Sequence, residues 1–226
     1  MFIKNTNLDL SNQIILINKP KFFTSNDVIQ IIKKAYKIKK IGHSGTLDPY
    51  ACGLLLVATD SKTKMLNQLL LEDKEYVAKI QFNYQTESYD GETNVVKQTF
   101  FKVNLFNLKN QIKKLNNVIL YQTPPIYSAI KINGKKLYEY ARSRQNVNIN
   151  PKKVFINEAK LLHFDYNLQI ATIQLNVSKG FYVRSFANDL GITLNNLGYL
   201  KELTRTKIGQ FKLKNAHQFF DLVTKV

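Results

Sequence analysis

With a single cysteine in 226 residues, the chain cannot form an internal disulfide. Long apolar runs are also missing: the run from Ile14 to Ile17 is far short of the roughly 20 residues a membrane helix needs. The opening residues, MFIKNTNLDLSNQ, have neither the apolar core nor the small-residue cleavage site of a secretory signal. These absences predict a cytoplasmic protein with no membrane partner. Metal ligands are sparse as well: His43, His163 and His217 lie far apart, and none belongs to a recognised ligand motif. No glycine-rich phosphate loop or dinucleotide fingerprint is present, so neither a metal nor a cofactor is expected. The most informative shortage is acidic: 16 Asp and Glu stand against 33 Lys and Arg, a net charge of +17. Such a surplus repels itself in a monomeric enzyme of small metabolites, whereas a polyanionic partner turns it into binding energy and faster encounter. Lysines scattered over a solvated surface are the plainer alternative at this level.

What is present reads as one folded domain over 1–226, with no repeat or linker. Ile14 to Ile17 forms a short buried strand, and TSNDVIQIIKKAYKIKK follows as a helix capped by Thr24 or Ser25, with Val28, Ile31, Ile32 and Ala35 at helical spacing. GHSGTLDPYACG reads as a loop, LLLVA as a strand, and Thr59-Asp60 as the opening of another helix through Leu70. EYVAKIQF alternates, so Tyr76, Ala78, Ile80 and Phe82 share a face. NVVKQTFFKV predicts a strand and LKNQIKKLNN a short helix. KVFINEAKLLHF and LQIATIQLNVSK predict two more strands, the second with Ala171, Ile173, Leu175 and Val177 on one face. After Gly180 a helix carries Val183, Phe186, Ala187 and Leu190 inward. Strands and helices intersperse without a strict βαβ rhythm, which predicts an α+β member of the broad α/β class: one mixed sheet with helices packed on it.

Three stretches carry candidate chemistry. In GHSGTLDPYACGLL, Pro49 disfavours the helical region for Asp48 and so holds it extended, while Gly42, Gly45 and Gly53 permit sharp turns nearby. A carboxylate presented this way suits a nucleophile, a general base, a metal ligand or a turn former. In SKGFYVRSFANDLG, Tyr182 and Arg184 open a helix and offer a stacking plate beside a fixed cationic fork, a pairing that suits a flipped-out base as well as it suits plain packing. Between Tyr121 and Arg144, Lys131, Lys135, Lys136, Arg142 and Arg144 interleave with Tyr127, Tyr138 and Tyr140, a composition that suits looped or single-stranded RNA, or an amphipathic surface helix.

GHSGTLDPYACGLL, KEYVAKIQF, PPIYSAIKINGKKLYEYAR, SKGFYVRSFANDLG and LKELTRTKIGQF occur in this order, and together they resemble the catalytic domain of the TruB family of tRNA pseudouridine synthases. The resemblance runs from ILINKPKFFTSNDV to about Phe211. It implies the pseudouridine synthase fold, a mixed and largely antiparallel central sheet with flanking helices. It also implies isomerisation of uridine-55 in the TΨC loop of tRNA, with no cofactor or metal, by a monomer acting on the T-arm stem-loop. By resemblance Asp48 is the catalytic aspartate, Tyr76 the tyrosine that stacks on the target base, and Arg184 the arginine that pairs with the aspartate. His43, Tyr182 and Leu203 match positions that contact the flipped nucleotide, Lys19-Pro20 matches a structural motif, and 121–152 corresponds to an RNA-binding insertion bearing Lys131, Lys135, Lys136 and Arg142. Tyr50, Cys52, Phe181 and Thr204 depart from residues common in the family, and the sequence carries no C-terminal PUA-like module of the kind bacterial members commonly have. An RNA-folding chaperone and a guide-dependent RNA pseudouridine synthase subunit are the competing functional readings.

Overall fold

The computed structural model describes residues 2–225. In chain order it begins with β1 (Phe2–Lys4), β2 (Ile14–Lys19), α1 (Ser25–Ala35), β3 (Ile41–Ser44), β4 (Ala51–Thr59), α2 (Leu66–Leu71), β5 (Lys74–Phe82), β6 (Tyr84–Thr86) and β7 (Val95–Gln98). Next come α3 (Leu105–Lys114), β8 (Val118–Gln122), β9 (Lys131–Ile132), β10 (Lys135–Lys136), α4 (Leu137–Arg142), β11 (Lys152–Asp165), β12 (Ile170–Val177) and α5 (Val183–Thr193). The chain closes with β13 (Gly198–Ile208), β14 (Phe211–Lys212), β15 (His217–Gln218), α6 (Phe219–Leu222) and β16 (Val223–Lys225). Contacts divide these elements into two units, one holding the chain up to Val77 and from Leu203 onward, the other Ala78–Glu202.

In the first unit β4 is the central strand. β2 runs antiparallel to it from Ile14↔Ala58 to Lys19↔Gly53, and β3 runs antiparallel along its other edge from Ile41↔Thr59 to Ser44↔Leu56. β13 takes the remaining length of that edge in parallel, pairing Leu203, Thr204 and Arg205 with Ala51, Cys52 and Gly53. The sheet is therefore mixed. Buried on both faces, β4 is almost wholly apolar, as a central strand must be. Helix α1 forms because Thr24 and Asp27 close a capping box, and it buries Val28, Ile29 and Ile32 in a core shared with Ile15, Ile17, Leu55, Val57, Phe219 and Leu222.

In the second unit β11 pairs antiparallel with β12 on one side and β8 on the other. Ala171, Ile173, Leu175 and Val177 of β12 are fully buried, as their alternation predicts. Helix α5 turns Val183, Phe186, Ala187 and Leu190 inward, and α3 does the same with Leu108 and Ile112. The residues from Lys131 to Arg142 form the short hairpin β9–β10, turning at Asn133 and Gly134, and then α4.

Some expectations need correction. GHSGTLDPYACG is not all loop: Gly42–Ser44 belong to β3 and Ala51–Gly53 to β4, leaving only residues 45–50 irregular. Pairing with β2 and β13 recruits Ala51–Gly53 in spite of two breaker-type neighbours. The helix expected from Thr59 begins instead as a 3-10 turn over Asp60–Met65, with Asp60 at a φ of 48°. In NVVKQTFFKV only Val95–Gln98 is strand. Among the described residues no helix is long and apolar enough to cross a membrane, and no cluster of His, Cys, Asp or Glu is arranged to hold a metal ion.

Candidate active site

Asp48 lies half-buried in the first unit, in the six-residue loop that joins β3 to β4. That loop is fastened at four points. Ser25, buried at the start of α1, donates from Oγ to the Leu47 carbonyl (3.2 Å) and accepts from the Leu47 amide (2.9 Å). The Ala51 amide donates to the Asp48 carbonyl at 3.0 Å, closing a turn around Pro49 and Tyr50. The Phe22 amide donates to the Pro49 carbonyl at 2.7 Å, and the Phe22 ring meets Tyr50 edge-on at 5.5 Å. The fourth fastening is Arg205. It is only 1% exposed and lies inside the loop, with Nε donating to the Leu54 carbonyl (2.7 Å) and Nη2 to the Gly45 carbonyl (3.1 Å). One guanidinium thus ties the start of the loop to β4, the strand that follows it. Gly45, at a φ of 82°, gives the backbone the bend that aims its carbonyl at Arg205.

The same arginine links the candidate residues: its guanidinium lies within electrostatic reach of Tyr76 on β5 and of Asp48. Burial pushes the guanidinium below its ordinary pKa, while Tyr76 and Asp48 oppose that shift. A desolvated cation of this kind is costly unless a carboxylate answers it, and Asp48 is the acid the loop brings to it. Lys19 is a second buried cation. Its ammonium donates to the Pro20 (2.9 Å) and Phe23 (2.7 Å) carbonyls, which agrees with a structural reading of Lys19-Pro20.

Desolvation lowers the Lys19 pKa from 10.5 to about 8, with Cys52 and Asp48 countering in that order. Because the folded value lies below the unfolded one, the unfolded chain holds the proton more tightly between those limits. The penalty is complete below pH 8 and is relieved as pH rises to 10.5. Denaturant unfolding at pH 8 and pH 10.5 is expected to show the wild type gaining stability relative to Lys19→Met, by up to roughly 3 kcal/mol. Equal pH dependence in the two proteins would contradict this assignment.

His43 lies on β3, opposite Val57. Burial, and then the Arg205 guanidinium, lower its pKa, so the ring is neutral at pH 7. Its Nδ1 is shielded from solvent and makes no well-formed hydrogen bond among the described residues. Leu203 is buried on β13 in register with Ala51, directly after the turn. The first unit therefore brings together Asp48, Tyr76, His43 and Leu203, and adds Arg205 and Ser25, which sequence reasoning did not place in the site. The signal for Arg205 is its parity: two residues beyond Leu203 on one strand, it stands on an inward face where arginine needs a reason to be.

Arg184 and Tyr182 lie in the second unit. Tyr182 precedes α5 and is held by buried Gln122, whose Oε1 accepts from the Tyr182 amide (2.7 Å) and whose Nε2 donates to its carbonyl (2.9 Å). Arg184 is 4% exposed; Nη1 donates to the Tyr127 carbonyl at 3.0 Å, and Nε lies 3.6 Å from Oδ2 of buried Asp90. Asp90 is a carboxylate neighbour that the sequence did not announce. Its Oδ1 accepts from Ser88 Oγ and the Glu92 amide, so a small acidic turn sits against the arginine. In the β9–α4 segment the cations and tyrosines pair with one another. Lys135 lies over the Tyr140 ring at 4.6 Å, and Lys136 and Arg142 both lie over Tyr138 at 5.3 Å, while Lys131 is exposed.

This architecture is the pseudouridine synthase fold. The chain superposes on one in a Cbf5–Nop10–Gar1 complex with a TM-score of 0.71 and 22% identity, covering 96% of this chain and 61% of that one. It matches one in an H/ACA RNP bound to a substrate RNA containing 2′-deoxyuridine with a TM-score of 0.69 and 21% identity, covering 97% and 61%. This chain thus spans about three fifths of each neighbour. A family model, TruB family pseudouridylate synthase (N terminal domain), matches residues 33–183. A tRNA pseudouridine synthase B of Malacoplasma penetrans is 59% identical over 100% of this chain and 97% of its own length, and one of Ureaplasma urealyticum is 45% identical over 92% and 90%. The chain belongs to the TruB family of pseudouridylate synthases.

Proposed function

We propose that the protein isomerises uridine-55 in the TΨC loop of tRNA to pseudouridine, with Asp48 as the catalytic carboxylate and the T-arm stem-loop as the element recognised. The observation that carries this reading is the loop itself: an aspartate whose loop is fixed by Ser25, by a closed turn and by a buried arginine within electrostatic reach of Asp48 and Tyr76. The reaction exchanges the N1–C1′ bond of the uridine for a C5–C1′ bond, and the proton lost from C5 is balanced by one taken up at N1. Two routes are open to the carboxylate: covalent attachment at C1′, or removal of the 2′ proton to give a glycal. Tyr76 is assigned the stacking plate for the base, within electrostatic reach of Arg205. His43 and Leu203, in the same unit as Asp48, are assigned walls around the flipped nucleotide, and Arg184 and Tyr182 keep the roles that the family resemblance implies for them. The direct test is incubation of the purified protein alone with unmodified tRNA, followed by mapping of pseudouridine. No product at that position would overturn the reading.

Arg205→Lys tests the organising role of the buried arginine. Lysine keeps the charge but lacks the planar fork that bonds the Leu54 and Gly45 carbonyls at once. Turnover is expected to fall by about a hundredfold, roughly 2.7 kcal/mol, with tRNA affinity little changed. Equal turnover in single-turnover assays would show that the loop is held by other means.

Lys131, Lys135 and Lys136 are assigned phosphate contacts, with Arg142, in the 121–152 segment. Replacing the three lysines by alanine should lower the slope of log affinity against log salt by about one to three units, since each phosphate neutralised contributes close to one. An unchanged slope would place the phosphate contacts elsewhere.

A further inference from the structure

The stretch from Val95 to Asn117 carries five lysines and no aspartate or glutamate. It also carries three strongly exposed aromatics: Phe100 is 86% exposed, Phe101 80% and Phe106 71%, the first two the most exposed aromatics among the described residues. Rings of this size are ordinarily buried, and three of them within seven residues, beside half-exposed Val95 and Val96, make an apolar patch in need of a partner. The patch is not a loose loop. The Thr99 amide donates to the Asn83 carbonyl at 2.9 Å, Asn196 Nδ2 donates to the Phe101 carbonyl at 2.6 Å, and the Val103 amide donates to Gln169 Oε1 at 2.7 Å. Val103 itself is buried, so the backbone is nailed to the second unit while Phe100 and Phe101 project outward. Lys97 and Lys102 flank the pair, and Lys102 rests over the Tyr166 ring at 4.8 Å. On α3, Phe106, Lys109 and Lys113 recur at helical spacing and are all exposed, opposite buried Leu108 and Ile112.

We propose that this surface binds unpaired RNA, separately from the 121–152 segment, with bases stacking on Phe100 and Phe101 and phosphates met by Lys97, Lys102 and Lys109. Charge decides the occupant. Aromatic plates between lysines with no acid among them match the two faces of an unpaired strand, its rings and its phosphates. A second copy of this chain would bring the same lysines, and a net +17, against itself.

The test uses the whole chain and two probes, a fluorescein-labelled oligouridylate of about 12 nucleotides and an isolated T-arm stem-loop. Phe100→Ala with Phe101→Ala is expected to weaken oligouridylate binding by about tenfold or more. Lys97→Ala, Lys102→Ala and Lys109→Ala together are expected to flatten its salt dependence. All these positions are solvent-facing, so circular dichroism melts should match the wild type, and saturating T-arm stem-loop should be isomerised at the wild-type rate. Oligouridylate affinity unchanged in the phenylalanine variant would overturn the proposal. So would a wild-type dimer in sedimentation that the phenylalanine variant dissolves, because the patch would then be a self-association face. Failure of the wild type to isomerise either tRNA or stem-loop would count against the proposed function and leave the binding comparison intact.

Discussion

Asp48→Asn is expected to abolish pseudouridine formation while tRNA affinity stays within a few-fold of wild type. Asparagine is nearly isosteric, and the fastenings of the loop run through backbone groups, Ser25 and Arg205 rather than through residue 48's chemistry alone. What the change removes is the negative charge within reach of a buried guanidinium, and with it the group proposed as nucleophile or base. Either chemical route then fails, because an amide neither attacks C1′ nor takes a 2′ proton. A loss of about four orders of magnitude or more corresponds to roughly 5.4 kcal/mol. Single-turnover incubation with excess enzyme, beside a filter-binding isotherm, separates chemistry from binding. Turnover by the variant above the level of contaminating host enzyme would show that another group carries the reaction.

Much of the candidate site was legible because the residues assigned to the chemistry sit in stretches with strong local signals. Asp48 stands before a proline among glycines, and Tyr76 stands on a strand whose alternation with Ala78, Ile80 and Phe82 is plain. Helix α1 announces itself by a cap and an apolar stripe, and α5 by Val183, Phe186, Ala187 and Leu190. What stayed hidden depends on distant partners. β13 is eleven residues long, yet it reads as GYLKELTRTKI, with charges between its apolar positions, and its parallel pairing with β4, together with its pairing with β5 and β14, makes it a strand. β1 and β16 are three residues each and exist only because the two ends of the chain meet, which no local pattern encodes. In sequence Arg205 is only one more cation within LKELTRTKIGQF. Its place inside the Asp48 loop follows from that same parallel register. Asp90 was likewise silent, since a buried acid in QTESYDGET looks like an ordinary turn residue until Arg184 is beside it.

The register of β4 and β13 yields the largest expected effect on the fold. Gly53 pairs with Arg205, and its φ of 105° lies where side chains are strained. A Cβ at this position would stand 2.4 Å from the Arg205 carbonyl oxygen and 2.8 Å from its amide nitrogen. Both neighbours are backbone, so nothing can swing aside as a flexible side chain would. Gly53→Ala therefore has to push β13 away from β4 and break the pairing of Leu203, Thr204 and Arg205 with Ala51, Cys52 and Gly53. Positive-φ strain costs about 1–2 kcal/mol. With the displaced strand pairs added, a total destabilisation of roughly 4 kcal/mol is expected, at the severe end for a single substitution. Function should suffer ahead of complete unfolding, because Arg205 moves with its strand and loses the Gly45 and Leu54 carbonyls that hold the Asp48 loop closed. Urea unfolding is expected to show a much lower midpoint, and the folded fraction at low urea should turn over tRNA far more slowly than wild type. A variant with wild-type midpoint and wild-type turnover would mean that β4 and β13 tolerate the added carbon, and that the close approach at Gly53 does not set the position of Arg205.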